Sequence, residues 1–308
     1  MNIFDLHCDT VYKFKNAGGL RKNPEAHLDL ARMIEAGYSL ETFAAFVDTG
    51  KCGEASAWDV SVSLIEKIKS AVSENDGVIS LVRSADEIAS NLERGRMSAL
   101  LSVEEGDVIS GDVSRVKTLA ELGVRMSTFT WNYDNRLSCC AVSGSEGGLT
   151  DVGFDFLSEL EANGIVADVS HISDCGFFDV AAASKKPFLA SHSNSREICG
   201  TARNLTDEMI KIIGERGGII GLNFYSRFIG GDGGIGALMR HARHIADVGG
   251  VGVLSLGSDF DGIEDNKEIP DATAVPKIAD ALLAAGFTSR EADGVMSGNA
   301  KRFLTEAL

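Results

Sequence analysis

The sequence predicts an α/β fold, a closed (β/α)8 TIM-type barrel, from three observations. Eight short apolar runs recur along the 308 residues, helical patterns separate them, and polar residues gather where the runs end. Strands and helices alternating in that number fit a parallel barrel better than an open doubly wound sheet. With 44% hydrophobic residues the chain can bury one large core, and residues 1–308 are expected to form a single barrel domain.

The first run, IFDL at 3–6, leads into His7, Cys8 and Asp9. In a strand, residues two apart point the same way, so His7 and Asp9 are expected to reach one point in space. A long insertion over 10–38 follows, then the run SLETFAAFV at 39–47 and a helix over 59–73. MSALLSV at 97–103 ends on Glu104 and Glu105 and precedes a helix over 111–122. VRMSTFT at 124–130 opens onto a Gly/Ser-rich loop, 131–150, and a helix over 151–163. GIVADVS at 164–170 delivers His171 before a helix over 174–184, and PFLAS at 187–191 delivers His192 before one over 206–216. GIIGLNF at 218–224 precedes a helix over 234–248, and VGVLSLGSD at 251–259 ends on Asp259 before one over 273–285. Asp151, Asp174 and Thr206 are placed to cap their helices.

Composition excludes several function classes. The formal charge of −16, from 29 basic and 45 acidic residues, argues against a nucleic-acid groove and an anionic membrane surface. No apolar stretch is long enough for a membrane span, and no secretory leader is evident. The six cysteines form no CxxC pair, which suits free thiols in the cytoplasm. GGDGGIG at 230–236 lacks the strand–turn–helix setting of a dinucleotide site.

In a barrel the chemistry sits at the carboxyl ends of the strands. Those ends carry three imidazoles (His7, His171, His192) and three carboxylates (Asp9, Glu104, Asp259), a composition suited to Zn²⁺ or a similar divalent ion. The set is too large for one tetrahedral ion with an open position, so two ions are expected. His7 and Asp9 would hold one, His171 and His192 the other, and Glu104 would divide its oxygens between them. Two cations lower the pKa of a shared water and polarise a carbonyl. Asp259 would take the water's proton and pass it to a leaving nitrogen. His27 also stands near this set, in the long first loop, whereas His241 and His244 read as a surface or structural helix face. No GxSxG motif offers a serine alternative.

These residues resemble the membrane dipeptidase (renal dipeptidase) family, peptidase family M19, in a soluble bacterial-type form. The likeness runs through DLHCDT, SVEEGD at 102–107, ELGVRMSTFTWN at 121–132, ADVSHIS at 167–173, PFLASHSNSREICGTARNLTD at 187–207, GLNFY at 221–225, GSDFDG at 257–262 and GNAKRFL at 298–304. The resemblance implies a zinc-dependent dipeptidase on an amidohydrolase-like barrel, with two Zn²⁺ ions per chain. It carries the ligand roles onto His7, Asp9, Glu104, His171 and His192, and the acid–base role onto Asp259. It makes Arg203 the grip on the substrate's terminal carboxylate, which a guanidinium fork matches bidentately, and Tyr225 a pocket residue. A homodimer is implied by the resemblance alone.

Two positions depart from the family pattern. Glu105 follows the bridging position where a small residue is often seen, and is expected to lie behind the site or at the surface. Trp131 stands where animal members carry a substrate-binding histidine; an indole can donate one hydrogen bond but cannot become cationic. Trp131 is therefore expected to shape the pocket and its specificity. The sequence shows neither a leader nor a hydrophobic tail, so lipid anchoring is not expected. Two other readings are another binuclear hydrolase acting on a small cyclic amide or ester, and a catalytically inactive metal-binding scaffold. The stereochemistry of the substrate, including acceptance of a C-terminal D-residue, is left open.

Overall fold

The computed structural model describes residues 2–14, 17–52, 54–264 and 266–308. Among these residues, nine parallel strands carry the fold: β1 (Ile3–Cys8), β2 (Tyr38–Phe46), β3 (Ile79–Leu81), β4 (Met97–Glu104), β5 (Val124–Thr128), β6 (Val166–Asp168), β7 (Leu189–Ala190), β8 (Ile219–Leu222) and β9 (Leu254–Leu256). Eight of them close into a barrel in the order β2-β1-β9-β8-β7-β6-β5-β4, sealed by β2–β4 pairing from Leu40–Ser98 to Phe46–Glu104. These eight are the eight apolar runs of the sequence. The extra strand, β3, lies against Met97–Ala99 of β4, on the edge that β5 takes from Leu101 onward. Its three residues are too few to show an alternation in sequence.

Strand alternation sorts the apolar side chains into two layers. Leu40, Leu100, Met126, Val166, Leu189 and Ile219 form one cluster with Phe303 and Leu304 of the helix Asn299–Ala307. Phe43, Ala45, Leu101 and Val103, out of step by one, join Ile65 and Ile68 of the helix Glu54–Ser73 in the other. The apolar interior thus lies toward the amino-terminal ends of the strands, leaving the carboxyl ends for polar residues.

β1 breaks this regularity. Asp5 pairs with Glu41 and Cys8 with Phe43, so Leu6 and His7 together stand opposite Thr42. Such a bulge re-aims a side chain. Leu6 and Cys8, two apart, accordingly fall in different layers. Asp9 lies beyond the strand at φ −102°, ψ 18°, opening a 3-10 turn over Thr10–Lys13. His7 and Asp9 do converge, with Nε2 and Oδ2 3.5 Å apart. A bulge followed by a turn brings them together, not the strand alternation expected from sequence.

The seven expected helices are present with shifted ends, from Glu54–Ser73 to Pro276–Ala284. Thr206 caps its helix, accepting from Met209 N. Asp151 and Asp174 do not cap theirs: Thr150 and Ser173, one residue earlier, accept from Gly153 N and Gly176 N. The two aspartates fall in the first turn, where the helix's positive end favours a carboxylate. At the Gly-rich segment, Ile235 N donates to Glu268 Oε2 (2.7 Å), so a carboxylate of the chain itself occupies that helix start. No helix among the described residues is long and apolar enough to cross a membrane.

Candidate metal centre and substrate cavity

The carboxyl end of the barrel gathers the six residues singled out in the sequence. His7 comes from β1, Asp9 from the turn after it, Glu104 from the end of β4, and His171, His192 and Asp259 from the segments after β6, β7 and β9. All six are at most 8% exposed. Glu104 Oε2 lies 3.3 Å from His7 Nε2, while its Oε1 lies 2.9 Å from His171 Nε2 and 3.8 Å from His192 Nε2. Asp259 Oδ1 stands 4.0 Å from His7 Nε2. Two overlapping groups result, His7–Glu104–His192 and His7–Asp9–Asp259, each with its ligand atoms within 4.8 Å of one another.

The backbone is shaped for this convergence. Among the described non-glycine residues, five have positive φ: Glu105 (79°), Ser110 (55°), His171 (71°), Asp259 (64°) and Asp261 (68°). Such conformations are uncommon outside glycine and collect at functional sites. Four of the five border the cluster.

The donor set fits divalent cations. Asp9 Oδ1 is buried with no hydrogen-bond partner, an unfavourable state that a bound cation would relieve, and His7 Nε2 is crowded by the carboxylates of Asp9 and Glu104. Gly262 keeps the space beside them open, since a Cβ there would stand 2.2 Å from Asp9 Oδ2 and 2.6 Å from Asp259 Oδ1. Burial holds His171 and His192 well below the usual imidazole range, helped by the positive charges of His7 and Arg203, so both offer neutral nitrogen lone pairs. Burial opposes the cationic form of His7, but the carboxylates of Glu104 and Asp9 outweigh it and hold its pKa well above the usual value. Burial, reinforced by the Asp9 charge, pushes Glu104 up to about 8. Burial likewise pushes Asp259 up to about 6. The cluster therefore retains protons that a cation would displace.

A supporting layer, invisible in the motif reading, orients these groups. Ser191 Oγ lies 2.7 Å from His192 Nδ1 and donates to Asp168 Oδ2 at 2.5 Å. With its hydrogen directed at Asp168, Ser191 accepts from His192 Nδ1–H, which leaves Nε2 as a lone pair facing His171 Nε2, 2.9 Å away, and Glu104. Asn132 Oδ1 does the same for His171 Nδ1 at 3.1 Å, and Asn223 Nδ2 donates to Asp259 Oδ2 at 2.9 Å. Glu105 is fully buried, accepting from Trp131 N (2.8 Å) and Asn135 Nδ2 (2.6 Å). It is not a surface residue but a clamp on the loop that carries Trp131. Asn132 and Asn223 do sit just past the ends of strands, the same signal that marked the other site residues.

A cavity of about 460 Å³ opens over the cluster, lined by Asp9, Glu104, His171 and Asp259 and by Trp131 and Tyr225. Arg203 does not line it. The guanidinium is 4% exposed, stacks 5.4 Å from the ring of Phe228, which does line the cavity, and donates from Nη2 to His192 O at 3.4 Å. Its Nε is buried and unpartnered. The remaining histidines stand apart from the cluster. His27 Nδ1 accepts from Asp261 N (3.0 Å). His241 is fully buried, accepting from Ser195 N and donating to Ile229 O, so it braces the loop after β7 and is not a surface group. His244 pairs with Asp207 on the outside at 2.6 Å.

Comparison with known proteins agrees with this geometry. A solved M19 metallopeptidase, dipeptidase AC, superposes with a TM-score of 0.93 at 26% identity, covering 100% of this chain and 98% of that one. A metallopeptidase from Rhodobacter sphaeroides, liganded with a phosphinate mimic of the dipeptide L-Ala-D-Ala, superposes with a TM-score of 0.91 at 26% identity, covering 100% and 99%. A dipeptidase of Aspergillus oryzae is 31% identical over 217 residues, 68% of this chain and 51% of its own. The model of the family described as membrane dipeptidase (peptidase family M19) matches residues 1–308. With the whole chain matched and two ligand clusters at the mouth of its barrel, this protein belongs to the membrane dipeptidase family, peptidase family M19, and is a metallohydrolase.

Proposed function

We propose that this chain, working as one catalytic barrel over residues 1–308, hydrolyses the peptide bond of free dipeptides with two Zn²⁺ ions. His7 and Asp9 would hold one ion, His171 and His192 the other, with Glu104 placed to serve both. The observation that carries this reading is the division of the Glu104 oxygens, Oε2 toward His7 and Oε1 toward His171. When bound, two such ions supply hydroxide near neutral pH and polarise the scissile carbonyl.

The chain's own residues account for the rest. Asn223 fixes Asp259 Oδ2 and leaves Oδ1 facing the cluster. Held in that position, Asp259 stands where a proton has to be moved between the attacking water and the leaving nitrogen. Asp259 takes the proton of the attacking water and delivers it to the amide nitrogen, so that the C–N bond breaks and the amine leaves neutral. Arg203, with its buried unpartnered Nε, receives the substrate's terminal carboxylate past the ring of Phe228. Tyr225 lines the cavity on that side, and Trp131 shapes the other.

The L-Ala-D-Ala mimic held by the Rhodobacter sphaeroides relative supports acceptance of a C-terminal D-residue here. The cysteines Cys8, Cys139, Cys140, Cys175 and Cys199 are thiols, which accords with a reducing, cytoplasmic setting. The test is amino-acid release from L-L and L-D dipeptides by zinc-loaded protein, with a chelated control. Chelator-sensitive cleavage supports the reading. No cleavage by folded protein carrying two ions per chain would overturn it and direct the search to cyclic amides and lactones.

A further inference from the structure

Three aromatic side chains form one wall of the cavity. Tyr12 lies in the turn after β1, Phe46 is the last residue of β2, and Trp131 follows β5. Phe46 packs 4.7 Å from Trp131 and 5.7 Å from Tyr12, ring centroid to centroid. All three line the cavity, and none is a core residue: Tyr12 is 47% exposed, and Phe46 and Trp131 are half-buried. The Tyr12 hydroxyl donates to the Phe46 carbonyl, so the polar end of that side chain is already engaged. Glu105 pins the backbone of Trp131. The wall is thus a preformed apolar surface open to the cavity, the kind of surface that a ligand side chain covers.

Its position relative to the carboxylate grip decides what it meets. The strands β1, β2, β4 and β5 are consecutive around the ring, and the aromatic wall rises from them. Arg203 and Tyr225 belong to the segments after β7 and β8, on the opposite side. A dipeptide whose carboxylate lies at Arg203 and whose scissile carbonyl lies over Glu104 directs its amino-terminal residue across the cavity. We infer that Tyr12, Phe46 and Trp131 form the subsite for that residue's side chain, and that the enzyme selects dipeptides beginning with an aromatic or large apolar residue. This inference rests on the dipeptidase reading. Charge narrows the class further. Among the described lining residues no lysine or arginine stands with these three rings, so an acidic side chain would lose hydration there without gaining a partner, whereas an apolar one is covered.

The experiment compares kcat/KM for Phe-Ala, Ala-Ala and Asp-Ala with the zinc-loaded enzyme, then repeats it with Phe46→Leu and Trp131→Leu. The wild type is expected to favour Phe-Ala over Ala-Ala by about tenfold or more, the scale of filling an apolar pocket, with Asp-Ala slowest. Either variant should lower the Phe-Ala to Ala-Ala ratio several-fold. Dipeptide cleavage in which Ala-Ala equals or exceeds Phe-Ala overturns the subsite while leaving the dipeptidase reading intact. So does a wild-type preference that both variants keep unchanged. Failure to cleave any dipeptide overturns the reading and the subsite together.

Discussion

Glu104 turns one carboxylate oxygen, Oε1, to within 2.9 Å of His171 Nε2 and the other away toward His7. An amide in its place keeps the size but offers a single oxygen. Glu104→Gln should therefore reduce metal content from two ions per chain to one or fewer. Activity should fall by about a thousandfold, since two-ion stabilisation supplies several kcal/mol and each 1.36 kcal/mol is tenfold in rate. Metal analysis alongside kinetics checks both, and a variant retaining two ions would remove Glu104 from the bridging role.

Ser191 links Asp168 to His192 through a hydroxyl that cannot be replaced by methyl. Ser191→Ala should release the imidazole to the other tautomer or orientation. Orienting partners of metal ligands are worth about 10- to 100-fold in metal affinity, whereas one buried hydrogen bond contributes only about 1 kcal/mol to folding. The expected outcome is a weakened ion on the His192 side with little change in melting temperature, read by chelator competition and a thermal melt. Equal loss at both sites would point to general damage.

How much of this was legible in the sequence follows from where each signal lies. His7, Glu104, His171, His192 and Asp259 are readable because an apolar run ends and a polar group follows, which is how a barrel presents its chemistry. The bulge at Leu6–His7 is not readable, because it exists only in the register between β1 and β2. Ser191 and Asp168 look like ordinary strand-end polar residues until β6 and β7 pair. Phe46 reads as one more apolar residue of β2, and only the closed barrel leaves it facing a cavity. His241 sits in a run of basic residues that suggests solvent, yet its helix face turns inward onto Ser195. The caps were missed by one residue because Thr150–Asp151 and Ser173–Asp174 each pair two good capping types, and only backbone angles decide between them.

Proton release should accompany metal uptake. In the metal-free protein burial raises Glu104 to about 8 and Asp259 to about 6. At pH 7 the coupled His7–Glu104 pair still holds a proton and Asp259 has largely lost its own, so loading with zinc should release about one proton from that pair. Apparent affinity should rise with pH up to about 8. The same shift affects stability: the unfolded chain loses the Glu104 proton near 4.5 while the folded one keeps it. That contribution is present in full below about 4.5 and is lost as pH rises through 8. Metal-free protein should thus melt lower at pH 8 than at pH 7, and zinc-loaded protein should not follow it. Calorimetry in buffers of different ionisation enthalpy measures the release, and a value of zero at pH 7 would show that the His7–Glu104 pair holds no proton there.

Gly262 offers a test that separates the site from the fold. Alanine meets no left-handed backbone restriction there, and the contacts its Cβ would make are with Asp9 Oδ2 at 2.2 Å and Asp259 Oδ1 at 2.6 Å. Both are far inside normal contact distance, so one carboxylate must swing out of the cluster. No apolar core is disturbed, and the folding penalty should stay near the 1 kcal/mol typical of a point change. If Asp9 moves, the ion on the His7 side is lost. If Asp259 moves, both ions remain but the proton relay to the leaving nitrogen is broken, a function worth about 10²–10⁴-fold in general acid–base catalysis. Gly262→Ala should therefore reduce kcat at least about a hundredfold with a nearly unchanged melt, and its metal content tells which carboxylate gave way. Full activity in this variant would mean that the space between Asp9 and Asp259 is not part of the working site.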